Sequence, residues 1–256
     1  MKNNKNILSA ILVFTLIATG IYSCSDEFLD ETENYNIDSE NFFNSEEDYY
    51  LALVGAYDLL QASYVNVLLG EIASDNTLCG GESATDVVGF QQIDDMGHTE
   101  VNSNLRDIWS WMFAGVSRTN YFLENQNKTA FDGRDAMVAE ARFLRAYYHF
   151  ELVKWFGGIP IKNYEAALEG AGERFVPGDE LVIARSSSAQ VYALIESDLT
   201  YAVNNLEYTA PQVGRVTKGA AEALLGKAYL YQNKFTEAAT VLDNVINNGP
   251  YDLALD

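Results

Sequence analysis

Histidine, cysteine and proline are all scarce in this 256-residue chain, at two, two and four residues. His98 and His149 are too few to argue for a zinc hydrolase, and Cys24 and Cys79 too few for a disulfide framework or a thiolate zinc site. Four prolines exclude a proline-rich linker protein. Positive charge is short as well: 16 Lys and Arg stand against 37 Asp and Glu, a formal net charge of −21. A surface of that sign repels phosphate backbones, so nucleic acid is excluded as a partner. No Gly-x-Ser-x-Gly, Walker or dinucleotide motif occurs, and the spaced ligands of an EF-hand are missing. A mean hydropathy of −0.11 with 48% apolar residues is neither a multispanning membrane protein nor a disordered polymer. Aromatic residues are plentiful: 16 Tyr, 13 Phe and 3 Trp.

One long apolar run is present, and it stands at the front. Lys2 and Lys5 precede an apolar stretch from Ile7 to Tyr22. At 16 residues it is shorter than the roughly 20 needed to span a bilayer as a helix, and it fits the apolar region of a secretory signal. It ends in Gly20-Ile21-Tyr22-Ser23-Cys24, which resembles a lipobox, with Ile21 and Tyr22 departing from the usual residues. The reading is a signal peptide over 1–23 and a lipid anchor on Cys24. An uncleaved anchor helix or ordinary cleavage nearby are the alternatives. Several acyl chains, at about 0.8 kcal/mol per buried CH₂, give durable membrane attachment. Cleavage removes two lysines and no acids, leaving the mature chain more acidic still. Ser25-Asp26-Glu27-Phe28-Leu29-Asp30 then opens an acidic, flexible tether over 24–40, similar to the surface-export signal of some Gram-negative lipoproteins. Cys79, left without a partner, reads as a small packed residue.

From 41 to 256 the pattern is a chain of helices. Ser45 caps a helix with Glu46 and Glu47 in its first turn, and Tyr50, Leu53, Ala56, Tyr57 and Leu60 follow at helical spacing. Further helices are predicted over about Leu105–Asn125, over Arg134–Phe156 stopped by Gly157, Gly158 and Pro160, and from the Ser186–Ser188 cap to Leu206. Only Ile159–Ile161 and Val182–Ile183 offer short strand candidates. A last pair is predicted over Thr217–Gln232 and Phe235–Asn247. It fits the tetratricopeptide pattern, with Leu225-Gly226, Tyr229, Phe235, Ala238 and Pro250 in register and Glu222 where Trp is common. The logic is steric: Gly226 and Ala238 let two helix backbones approach. The fold class is therefore mainly α, a tetratricopeptide-like array of helix pairs with long loop insertions such as Lys162–Ser186. The array stops at Asp256 with no polar capping helix, which reads as a fragment or a truncated gene product.

The run Ala-Glu-Ala-Arg-Phe-Leu-Arg-Ala-Tyr-Tyr-His-Phe-Glu-Leu-Val-Lys-Trp-Phe-Gly-Gly-Ile-Pro from Ala139 to Pro160 resembles the signature helix of the SusD/RagB family. The Cys24–Asp30 opening, Ser74-Asp75-Asn76, and Arg215-Val216-Thr217-Lys218-Gly219-Ala220-Ala221 are similar to that family too. The resemblance implies an outer-membrane lipoprotein that captures glycans or peptides beside a SusC-like TonB-dependent transporter. Members are typically twice this length, so the resemblance makes this chain the N-terminal part, lacking the C-terminal part of the fold.

Between Gly70 and Asn104 no helical period persists, and a loop that long inside a domain is usually functional or disordered. Sugar recognition needs flat aromatic faces and planar acids or amides. Asp75, Asn76 and Asp94 are the candidate gripping groups and Trp109 the candidate platform; Trp111 and Trp155 read as core. Arg142 and Arg145 read as ion pairs to neighbouring helices and His149 as structural. Asp94 and Asp95 are adjacent, a poor arrangement for paired glycosidase carboxylates. No catalytic residue, cofactor or metal site is assigned. The leading function is surface capture of an oligosaccharide, or less readily a peptide, for the transporter. The competing one is an envelope adaptor whose helices bind proteins without nutrient capture.

Overall fold

Every long segment with a 3.6-residue apolar period in the sequence is a helix in the computed structural model, which describes residues 42–83 and 85–252. The signal peptide, Cys24 and the tether lie outside the described residues.

The chain from Phe43 onward begins with α1 (Glu46–Asp58), closed at its start by a reciprocal capping box between Ser45 and Asp48. A 3₁₀ turn over Leu59–Ala62 leads into α2 (Ser63–Ile72). Next come the short α3 (Val88–Asp94) and then α4 (Ser103–Glu124), whose Asn102 cap accepts the amides of Asn104 and Leu105. The signature run is α5 (Arg134–Phe156). After a one-turn α6 (Tyr164–Leu168) come α7 (Ser188–Asn205), α8 (Lys218–Tyr231) and α9 (Phe235–Asn248). No strand is named among the described residues; the Ile159–Ile161 candidate reduces to one antiparallel bridge between Pro160 and Arg185, and Val182 and Ile183 close a turn after the 3₁₀ segment Asp179–Leu181. The stretch between Gly70 and Asn104 is not without helix, since it holds α3. Seven residues behind a left-handed Val87 with no side-chain cap are too few to show a period.

Packing follows the order of the chain: α1 and α4 lie on α5, α5 on α7, α7 on α8, and α8 on α9. In the last pair the short 232–234 connection brings α9 back along α8. A Cβ on Gly226 would lie 2.6 Å from the Leu242 side chain, one turn beyond buried Ala238, so the small residues do bring these backbones together. Glu222, at the position where Trp is common, is buried and accepts the Tyr208 hydroxyl at 3.1 Å.

Buried charge organises the centre. Arg145 spends all five of its N–H donors: on both Asp198 oxygens at 2.7 and 2.8 Å, the carbonyls of Ala167 and Ala171 at 3.0 and 2.6 Å, and Asn120 Oδ1 at 3.3 Å. Arg142 adds a 2.7 Å bond to Asp198 and stacks on Tyr201. These are the interhelix ion pairs expected of the two arginines. A second network ties α1 and α5 to the segment before α8. Arg215 grips Glu140 at 2.6 and 2.9 Å, Glu140 also accepts the Tyr57 hydroxyl, and Tyr57 receives the Val216 amide at 3.0 Å. Burial, with the Glu140 charge, holds the Tyr57 phenol well above its ordinary range.

Candidate functional site

The face of α4 that does not enter the core makes the site. Ile108, Met112 and Val116 are buried at four-residue steps, and the neighbouring stripe, Trp109, Phe113 and Ser117, lines an open cleft of about 470 Å³. Trp109 and Phe113 sit with ring centroids 4.6 Å apart, Phe156 meets Trp109 edge-on at 5.1 Å, and Phe175 meets Phe113 edge-on at 5.9 Å.

The far wall is the insertion between α5 and α7, held by polar anchors. The Asn120 amide donates to the Glu173 carbonyl, and Glu124 takes both the Arg174 amide and its guanidinium, at 2.5 and 2.8 Å. Lys162 bridges Asp179 at 2.8 Å and Glu173 at 3.3 Å. The hydrogen bond from Lys162 holds the Asp179 carboxyl below the usual range. The insertion returns through the Pro160–Arg185 bridge and a 2.9 Å bond from the Ser186 amide to the Ile159 carbonyl. Gly158 makes that return possible, because a Cβ there would lie 2.3 Å from the Ser186 carbonyl oxygen. Arg185 is thereby placed over the Trp109 ring, 5.8 Å from its centroid.

Trp109 and Arg185 also line a second, larger cleft of about 950 Å³ with Trp155, Phe156, His98 and Glu100. The pair therefore stands where two clefts meet.

Of the four candidate contacts Asp75, Asn76, Asp94 and Trp109, only Trp109 is among the described residues lining these clefts. Asp75 and Asn76 are exposed in the turn after α2, where the Asn76 amide donates to Ser74 Oγ; Ala73, close by in the chain, lines the larger cleft. Asp94 accepts the Cys79 amide at 2.9 Å and so ties its own loop. Two core expectations are corrected. Trp111 lies on the outward side of α4 at 37% exposure, since residue 111 is off the 108–112–116 stripe. Trp155 is half-buried and faces the larger cleft. Phe113, Phe175 and Arg185 are not among the sequence candidates. The four-residue step from Trp109 to Phe113 was the readable signal for the first; Phe175 and Arg185 sit in a segment with no period.

Among the described residues lining the smaller cleft Asp179 is the one acid, and it is ion-paired. The arrangement offers flat apolar faces with a few polar groups at the edge, suited to the C–H faces and hydroxyls of a sugar ring.

Residues 27–230 match the model of the SusD-like family described as starch-binding associating with outer membrane. Among curated relatives, SusD-like protein P38 of Formosa agariphila is 26% identical over 99% of this chain and 48% of its own length. A SusD-like protein of Bacteroides ovatus is 26% identical over 91% of this chain and 41% of its own length. The chain spans about half the length of the curated relatives it matches. Among solved structures, a laminarin-binding SusD-like protein superposes with a TM-score of 0.70 at 31% identity, covering 79% of this chain and 44% of that one. A SusD homologue from Bacteroides thetaiotaomicron gives 0.71 at 26% identity, covering 84% and 43%.

Proposed function

The chain belongs to the SusD-like family, and from that we propose that it is a surface glycan-binding lipoprotein of the outer membrane, anchored through Cys24 and working with a SusC-like TonB-dependent transporter. The observation that carries the binding reading is the aromatic cleft on α4, with Trp109 as its platform. Asp75, Asn76 and Asp94 remain proposed as contacts made from the neighbouring loop. The reading is of a binding protein, in keeping with the starch-binding description of its family. A laminarin-binding relative of the same fold supports an oligosaccharide as the ligand.

The test is calorimetry of the full chain and its Trp109→Ala variant against a panel of oligosaccharides and peptides. Binding of an oligosaccharide that weakens about tenfold or more in the variant, with the helical circular dichroism unchanged, is the expected result. A second reading, the protein-binding adaptor, draws on the outward apolar residues of α1 and α2: Leu51, Val54, Tyr64 and Val67 are each more than 40% exposed. A folded chain that binds neither sugar nor peptide favours that adaptor.

A further inference from the structure

Arg185 stands apart from the other arginines of this acidic protein. Every other arginine among the described residues has a carboxylate within ion-pair distance. In a chain with 37 acids and 16 bases, proximity alone supplies such partners readily. Arg185 has none among the described residues: its guanidinium lies over the Trp109 ring, and no hydrogen bond from it to a described acceptor is present. Its backbone is nonetheless fixed by the Pro160 bridge and the Ser186–Ile159 bond, so the group stays at the cleft edge.

The charges around it bear on what it can attract. In the smaller cleft the lining acid Asp179 is ion-paired with Lys162, which Glu173 shares, and Arg185 is the one cation among the described lining residues. On the larger side Glu100 also lines the wall, and Arg106 is paired with Asp107 at 3.2 Å. The remaining negative charge of the molecule acts weakly at this point, because screening in about 0.15 M salt cuts exposed charges off beyond about 8 Å. A free guanidinium beside an aromatic face offers two parallel donors, which match a carboxylate or sulfate and are used poorly by a single neutral hydroxyl.

We infer that the saccharide held on Trp109 is an acidic one, its carboxylate or sulfate taken by Arg185 while the sugar ring lies on the indole. The inference rests on the glycan-binding reading of this cleft and adds the charge of the ligand.

The experiment measures binding of the full chain to acidic hexasaccharides, a galacturonate and a sulfated galactan, each beside its charge-free counterpart, the methyl ester and the desulfated sugar. Neutral laminarin and xyloglucan oligosaccharides complete the panel. At least one acidic sugar is expected to bind about tenfold more tightly than its charge-free counterpart, with the preference shrinking as salt rises. Arg185→Gln is expected to level the pair, and Arg185→Lys to restore part of the preference without the bidentate geometry. Trp109→Ala is expected to weaken both members. Equal binding of charged and uncharged sugars, unaltered by Arg185→Gln but lost in Trp109→Ala, overturns the acidic ligand and leaves the glycan site standing. Binding of no sugar by the folded chain overturns both.

Discussion

Mild acid should destabilise this protein through His149, whose ring takes up a proton more readily unfolded than folded. His149 lies on α5 at 2% exposure, and its Nδ1 is buried without a hydrogen-bond partner. Burial, and after it the positive charge of Arg145, pushes its pKa down to about 3 from the ordinary 6.5. In the unfolded chain the same ring takes up a proton near pH 6.5, so between those two values the unfolded state binds more protons than the folded one. Stability therefore rises with pH across that window and falls as pH drops through it; above it His149 contributes nothing. Integrating the difference gives a loss of about 2 kcal/mol at pH 5 and about 3 kcal/mol at pH 4 from this one residue. Either is a large share of the roughly 5–15 kcal/mol that holds a typical domain together. The assay is urea unfolding followed by far-ultraviolet circular dichroism at pH 7, 5 and 4, for the parent chain and for His149→Leu. The variant is expected to be less stable at pH 7, because a cavity shaped for imidazole is refilled imperfectly, yet to lose less stability on acidification. Other carboxylates titrate in both proteins and cancel in the comparison. Parallel pH profiles for the two would refute the reasoning, since they would mean that the ring is as easily protonated folded as unfolded.

Arg145→Met should cost about 3–5 kcal/mol, because it leaves Asp198 and the carbonyls of Ala167 and Ala171 short of donors in the interior; urea midpoints at pH 7 measure it. Gly158→Ala should cost about 1–3 kcal/mol by forcing the Ser186 carbonyl away, and should weaken saccharide binding in calorimetry by moving Arg185 off Trp109. Cys24→Ser should abolish incorporation of labelled fatty acid in cells and move the protein out of the membrane fraction; continued labelling would place the acyl chain elsewhere.

The helical frame was legible because long amphipathic segments advertise themselves. α5 begins and ends where Arg134 and Phe156 were predicted to bound it, and α8 and α9 follow the tetratricopeptide spacing to within a residue. Shorter elements were not. α2 carries Leu68 and Val67 outward, so apolar residues run round the helix and blur its period. α3 is too short to have one. The site was readable only in part, for a related reason. Trp109 announced itself as an aromatic at the head of a helix, whereas the wall opposite it is built by an insertion whose contacts join residues about fifty positions apart, such as Asn120 with Glu173 and Glu124 with Arg174. Nothing local in sequence encodes such a pairing. Asp75, Asn76 and Asp94 are candidates on their chemistry, and chemistry alone does not say which way a loop faces.

The same buried charge that steadies the core also shapes the cleft. Arg145 reaches from the α5–α7 contact to the carbonyls of Ala167 and Ala171, at the point where the insertion leaves α6. From there Glu124 fixes Arg174, and Phe175 follows it as the apolar wall opposite Phe113. Lys162 then fixes Asp179, and the bridge at Pro160 fixes Arg185. Each step is a directional polar bond, which sets position more narrowly than apolar contact does, so the rings and the guanidinium are held in place before any ligand arrives. A site ordered in advance loses less entropy on binding, which matters for a sugar whose contacts are individually weak. The acid excess has a structural use in this scheme: it supplies the partners that pin the arginines along the insertion. Arg185 has no ion pair among the described residues because the bridge that positions it carries its side chain over an indole, and that leaves its charge for the ligand.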